Sequence, residues 1–199
     1  SEMCIRDRST IFTMLIATSY NIVDTYFVSD LGESSVAAVG IMFSVMALIQ
    51  AVGYTWGMGA GSEIARLLGK QKKREAEQTL ATALAGGILS GAVMAVIFAV
   101  FREDVVRLLG ATDTSLAPAG QYGIYIMLAA PVMCGAYVLN NALRAEGQPY
   151  LALLGILAGG LSNALFDYIL VRVLGLGIAG AGIATLAGQG ISLAIMYIC

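Results

Sequence analysis

Long apolar runs, broken at intervals by short polar clusters, dominate the chain. A helix needs about 20 apolar residues to cross the hydrocarbon core of a bilayer. By that measure the pattern predicts six crossing helices, at about 10–29, 36–61, 80–101, 118–143, 150–171 and 178–199. The first is interrupted by Asn21 and Asp24. The connections carry turn or charge signals: residues 30–33, 66–78 with Lys70, Lys72, Lys73 and Arg74, 102–115, 144–149, and 174–177. None is long enough to hold a separate soluble domain. The expected fold is an all-α, polytopic transmembrane helix bundle. Residues 64–78 alternate apolar and basic positions, which predicts a short amphipathic helix lying at the inner membrane surface.

Composition agrees. Of 199 residues, 58% are hydrophobic and 12% charged, and the mean hydropathy is +0.82. A soluble domain carries roughly 25% charged residues, so the surplus apolar surface requires an apolar solvent. The 24 glycines suit closely packed membrane helices. A net charge of −2 gives no reason to expect a nucleic-acid partner. The absence of histidine removes Ser-His-Asp and Cys-His catalysis and His-ligated metal sites. Cys4, Cys134 and Cys199 imply no disulfide framework. The run Gly57-Met58-Gly59-Ala60-Gly61 has the small-residue spacing of a close helix contact, and no Lys-Ser/Thr follows to make it a phosphate loop. With no nucleophile–base pair or metal motif, the chain reads as a non-enzyme.

Both ends look unnatural. Residues 1–9 open with a polar stretch that resembles a translated adapter or cloning scar and is set aside. Cys199 stops inside an apolar run with no closing loop, so the chain reads as a fragment.

Orientation follows from loop charge. Arg66, Lys70, Lys72, Lys73, Arg74 and Arg144 fall on one side, and Arg102, Arg107 and Arg172 on the other. The richer side is expected to be cytoplasmic.

Two carboxylates fall inside predicted spans, Asp24 and Asp167. At membrane depth each costs on the order of 2.5–3.5 kcal/mol, and such residues mark ion and proton pathways. Counted from the outer loops, both lie roughly 8–9 Å deep, and Thr185 roughly 10 Å. Asn163 lies one turn inward of Asp167 on the same face, and Tyr20 stands in the same relation to Asp24. A shared site of this kind could bind protons, or Na⁺ through oxygen ligands. Alternatively, each aspartate is satisfied separately by a neighbouring helix, or one lies nearer the interface. Asn140 could extend the network inward or make a helix–helix hydrogen bond. Gln50, Gln121 and Gln189 read as interhelical hydrogen-bonding residues rather than ligands. The methionines read mostly as core or lipid-facing filler.

Several runs in order resemble a known family. Residues 20–28, Leu31-Gly32 and 37–40 look like the first helix and loop of the multidrug and toxic compound extrusion (MATE) transporters. Residues 59–62 and 64–70 resemble the end of its second helix and its cytoplasmic loop. Residues 143–149 resemble its fourth-to-fifth hairpin, and Asn163 with Asp167 and residues 180–185 its fifth and sixth helices. The match covers about residues 11–199.

The resemblance implies a twelve-helix fold in two six-helix lobes, of which residues 10–199 form the N-terminal one. It implies a multi-pass protein of a prokaryotic cytoplasmic membrane that exports small organic, often cationic, compounds in exchange for Na⁺ or H⁺. It needs no cofactor and works with the lipid bilayer and a missing C-terminal lobe as partners. The family's cation or proton site maps to Asp24, Asn163, Asp167 and Thr185, with Tyr20, Tyr122 and Asn140 as supporting polar positions. Many members carry a proline early in the first helix, a region that falls here in the scar-like residues. Two rivals stand beside this reading. One is a lipid-linked oligosaccharide flippase of the same superfamily, disfavoured because no Lys or Arg lies within a predicted helix core. The other is a membrane interaction protein without transport.

Overall fold

In the computed structural model, residues 22, 26, 29 and 32–198 are described. Helix α1 spans Glu33–Gly69, α2 Lys73–Val100, α3 Arg102–Leu108, α4 Asp113–Ala145, α5 Pro149–Asp167 and α6 Gly177–Ile198. A π-helical stretch, Tyr168–Val173, continues α5. Among the described residues, 5 helices are long and apolar enough to cross a membrane. They correspond to the second to sixth segments expected from the sequence. Ile22, Tyr26 and Ser29 are helical. The rest of the first segment, with Tyr20 and Asp24, lies outside the described residues, as do residues 1–9.

Hydropathy underestimates the helix ends because it measures affinity for lipid, whereas the backbone ladder needs only helix-compatible residues. Helix α1 therefore runs past the last apolar stretch to Gly69, with Arg66 paired to Glu63 one turn earlier. The separate amphipathic helix expected over 64–78 does not form. Ile64 and Leu67 are buried parts of α1, and the chain reverses over residues 70–72. The Lys72 N–H donates to the Leu67 carbonyl at 3.0 Å, with Gln71 left-handed at φ 59°. The alternation arises because Ile64, Leu67 and Ala76 pack with Val138 and Ala142 of α4, leaving the basic residues in water. The loop expected at 102–115 contains α3, after which Ser115 Oγ accepts from the Thr112 N–H at the start of α4.

Helix α4 is the centre of the bundle and packs against α1, α2 and α6. Its apolar cluster combines Ile126 and Met133 with Met42 of α1 and Phe98 of α2. At its far end the Gln148 N–H reaches back to the Leu143 carbonyl at 2.8 Å. Gly147 supplies the left-handed residue this ending requires, with φ 82°.

Helices α5 and α6 form the other close pair. The buried stripe of α5 is Ala152, Gly155, Gly159, Asn163 and Asp167, mostly small residues ending in two polar ones. The crossing is tight: a Cβ on Gly188 would lie 2.8 Å from the Gly159 carbonyl oxygen and 2.9 Å from Asn163 Cβ. Lipid offers helices little hydrophobic incentive to associate, so such backbone approach is a main source of their attraction.

Candidate cation site

The polar end of the α5 stripe meets Thr185 of α6 through Asn163. Asp167 is 0% exposed, Asn163 4% and Thr185 3%. Asn163 Nδ2 donates to Thr185 Oγ1 at 3.4 Å, and Thr185 Oγ1 donates to the Ala181 carbonyl at 3.0 Å. The threonine hydroxyl thereby links the α5 amide to the backbone of α6. Asn163 Oδ1 is buried with no hydrogen-bond partner among the described residues. A buried amide oxygen left over in this way is an acceptor available to a water or a cation.

Asp167 closes α5, and the backbone shifts to a π-helical register at the next residue. Such shifts are uncommon and cluster at functional sites, because they free or redirect backbone groups within a helix. Together Asp167, Asn163 and Thr185 offer carboxylate, amide and hydroxyl oxygens, a donor set suited to a hard cation or a proton.

The other expected residues divide. Asn140 on α4 is buried, and its Nδ2 donates to the Ala152 carbonyl at 3.3 Å and approaches Met196 Sδ at 3.9 Å. It makes the helix–helix hydrogen bond and also lines the cavity shared with Asn163 and Thr185. Tyr122 is buried in the apolar cluster of α4 and does not line that cavity. Tyr20 and Asp24 lie outside the described residues.

The cavity lies between α1, α4, α5 and α6. Besides Asn140, Asn163 and Thr185, its walls include Gln50, Gln189 and Ser192. It encloses about 70 Å³ of water-sized space. Gln50 and Gln189, which read as residues joining helices, stand in this cavity wall. For Gln189 a signal existed, since it lies one turn after Thr185 on the same helix face. For Gln50 there was none, because its neighbours come from helices far away in sequence.

The comparisons with known proteins agree with this architecture. The MatE family model matches residues 9–169, and the chain belongs to that family. It is 29% identical over 185 residues to the multidrug export protein MepA of Staphylococcus aureus (strain MSSA476), covering 92% of this chain and 41% of MepA. It superposes with a TM-score of 0.88 and 29% identity on a crystal structure of MATE in the bent conformation, covering 94% of this chain and 42% of that one. With a MOP superfamily transporter from Pyrococcus furiosus Vc1 (DSM3638), described as having a binding pocket of reversed polarity that suggests a different function, the TM-score is 0.87 at 31% identity. The alignment covers 95% of this chain and 42% of the Pyrococcus furiosus one. The chain thus spans less than half the length of these relatives, as one lobe of a MATE-type membrane transporter.

Proposed function

We propose that this lobe, joined to a second lobe, exports organic, often cationic, compounds across a prokaryotic cytoplasmic membrane in exchange for Na⁺ or H⁺. Alternating access carries the cycle. The cation enters from outside to Asp167, Asn163 and Thr185, with Asp24 as the expected second carboxylate. Neutralising the charge there changes the helix packing that favours each state, and the organic compound is released outward. The supporting observation is a fully buried carboxylate on a membrane-spanning helix, one turn from an amide oxygen with no partner among the described residues.

Ion-driven efflux by the full-length transporter carrying this lobe, reconstituted in proteoliposomes, tests the reading. Asp167→Asn and Asp24→Asn are each expected to lower coupled efflux by about 100-fold or more, since disturbing even the groups that support a metal's ligands costs about 10–100-fold. Unchanged efflux in both variants would sink it. Imposing a Na⁺ gradient and a pH gradient separately identifies the ion. Because one fold hosts several functions, the exported class is decided by assaying cationic and anionic compounds side by side.

A further inference from the structure

The cavity has a direction. On α6 its wall is Thr185, Gln189, Ser192 and Met196, one helix face spanning about 16 Å toward the Lys/Arg-rich side. Asn163 stands at one end of the opposite wall, followed inward along α5 by Gly160, Gly159 and Ile156. At Gly159 the wall is the close crossing with α6, where a Cβ would lie 2.7 Å from Ser192 Cβ. Asp167 does not line the cavity. The space therefore begins at the inner edge of the candidate site and continues inward from it.

Its size and chemistry select what it can hold. About 70 Å³ of water-sized space takes a short file of waters, each needing about 10–15 Å³. An organic substrate needs a pocket of about 300–1,000 Å³. A retained water needs two to four polar partners. Gln50, Gln189, Ser192, Asn140 and Asn163 Oδ1, which has no partner among the described residues, supply them. Tyr54 and Tyr137 also line the space, with ring centroids 4.8 Å apart. Tyr137 fills the gap left by Gly53, where a Cβ would lie 2.7 Å from its ring.

We infer that this space is the inward exit of the coupling ion, a hydrated passage within the lobe with Gln189 and Ser192 as polar steps. The inference rests on the coupling reading above. A cation leaving Asn163 and Thr185 exchanges their oxygens for water and the Gln189 amide before it meets the cytoplasm. A proton would leave along the same waters. Conduction of this kind requires sites that bind weakly enough to release, and neutral amides and hydroxyls meet that requirement where a carboxylate would not.

The test uses the full-length transporter in proteoliposomes, with ²²Na⁺ uptake and pH-jump proton uptake as rates and equilibrium cation binding measured in parallel. Gln189→Leu keeps the volume and removes the amide. It is expected to leave cation affinity unchanged and to slow uptake about tenfold, the effect of one lost hydrogen bond on a barrier. Gln189→Asn is expected to restore most of the lost rate. Gln189→Cys, in a background free of other cysteines, should react with an impermeant thiol reagent applied from the cytoplasmic side. Uptake at the normal rate in Gln189→Leu, or affinity falling in step with rate, overturns the passage. Asp167→Asn in the same assay separates the two ideas. If it abolishes coupling while Gln189→Leu has no effect, the passage alone fails; if it has no effect, coupling and passage fail together.

Discussion

The α1–α2 hairpin and the α5–α6 pair have similar apolar content and place their polar residues in opposite ways. In the hairpin the charges gather at the tip, where Lys72 and Glu75 pair at 2.8 Å with both side chains 52% exposed. Its membrane-level surface is apolar and open, with Leu89, Val93 and Val96 of α2 exposed. One polar pair at that level is satisfied within the hairpin, Trp56 Nε1 donating to Ser90 Oγ at 3.0 Å, while Gln50 stands in the cavity wall. In the α5–α6 pair several polar residues are buried: Asn163, Asp167, Thr185 and Ser192. Water solvates the first set at no structural cost. The second must be solvated by the protein or by whatever enters it. Polarity in the hairpin therefore positions the chain in the membrane, and polarity in the α5–α6 pair is available for chemistry.

That contrast can be broken from either side. The largest effect is the loss of coupled efflux in Asp167→Asn already described. Next is the crossing that holds the site together. Gly188→Leu drives a side chain into the Gly159 carbonyl and Asn163 and should destabilise the lobe by about 1–3 kcal/mol. Thermal unfolding in detergent checks this; an unaltered midpoint would mean that α5 and α6 are not held by close packing. Thr185→Val is smaller in stability, about 1 kcal/mol for a lost hydrogen bond, and should reduce cation affinity about tenfold or more. Titration of the reconstituted protein gives the second number. The smallest effect belongs to the hairpin tip. Lys72→Ala removes an exposed ion pair worth below about 0.5 kcal/mol, so unfolding should barely move and efflux should match the unmodified protein. A large loss there would erase the distinction between the two regions.

Much of this was legible in the sequence. The crossing helices follow from run length, because no other arrangement satisfies the backbone in lipid. Asn163, Asp167 and Thr185 were selected by depth and spacing, and the structure sets Asn163 and Thr185 in contact. The tip of the first hairpin was misread. The basic–apolar alternation there fits a surface helix and a packed helix end equally well, and burial of Ile64 and Leu67 beneath α4 decided for the second.

The sequence by itself determined the solvent, the helices and the few polar residues that violate hydrophobicity. Those are properties of single segments, set by composition, helical period and loop charge. The tertiary structure alone decided which helices touch and what lies between them. Gly159 and Gly188 were two small residues among 24 glycines until the crossing of α5 and α6 gave them a partner. Gln50 and Gln189 read as helix glue until four helices enclosed a common space around them. A cavity is a property of several helices packed together, so its lining cannot be read from the local pattern of any one of them.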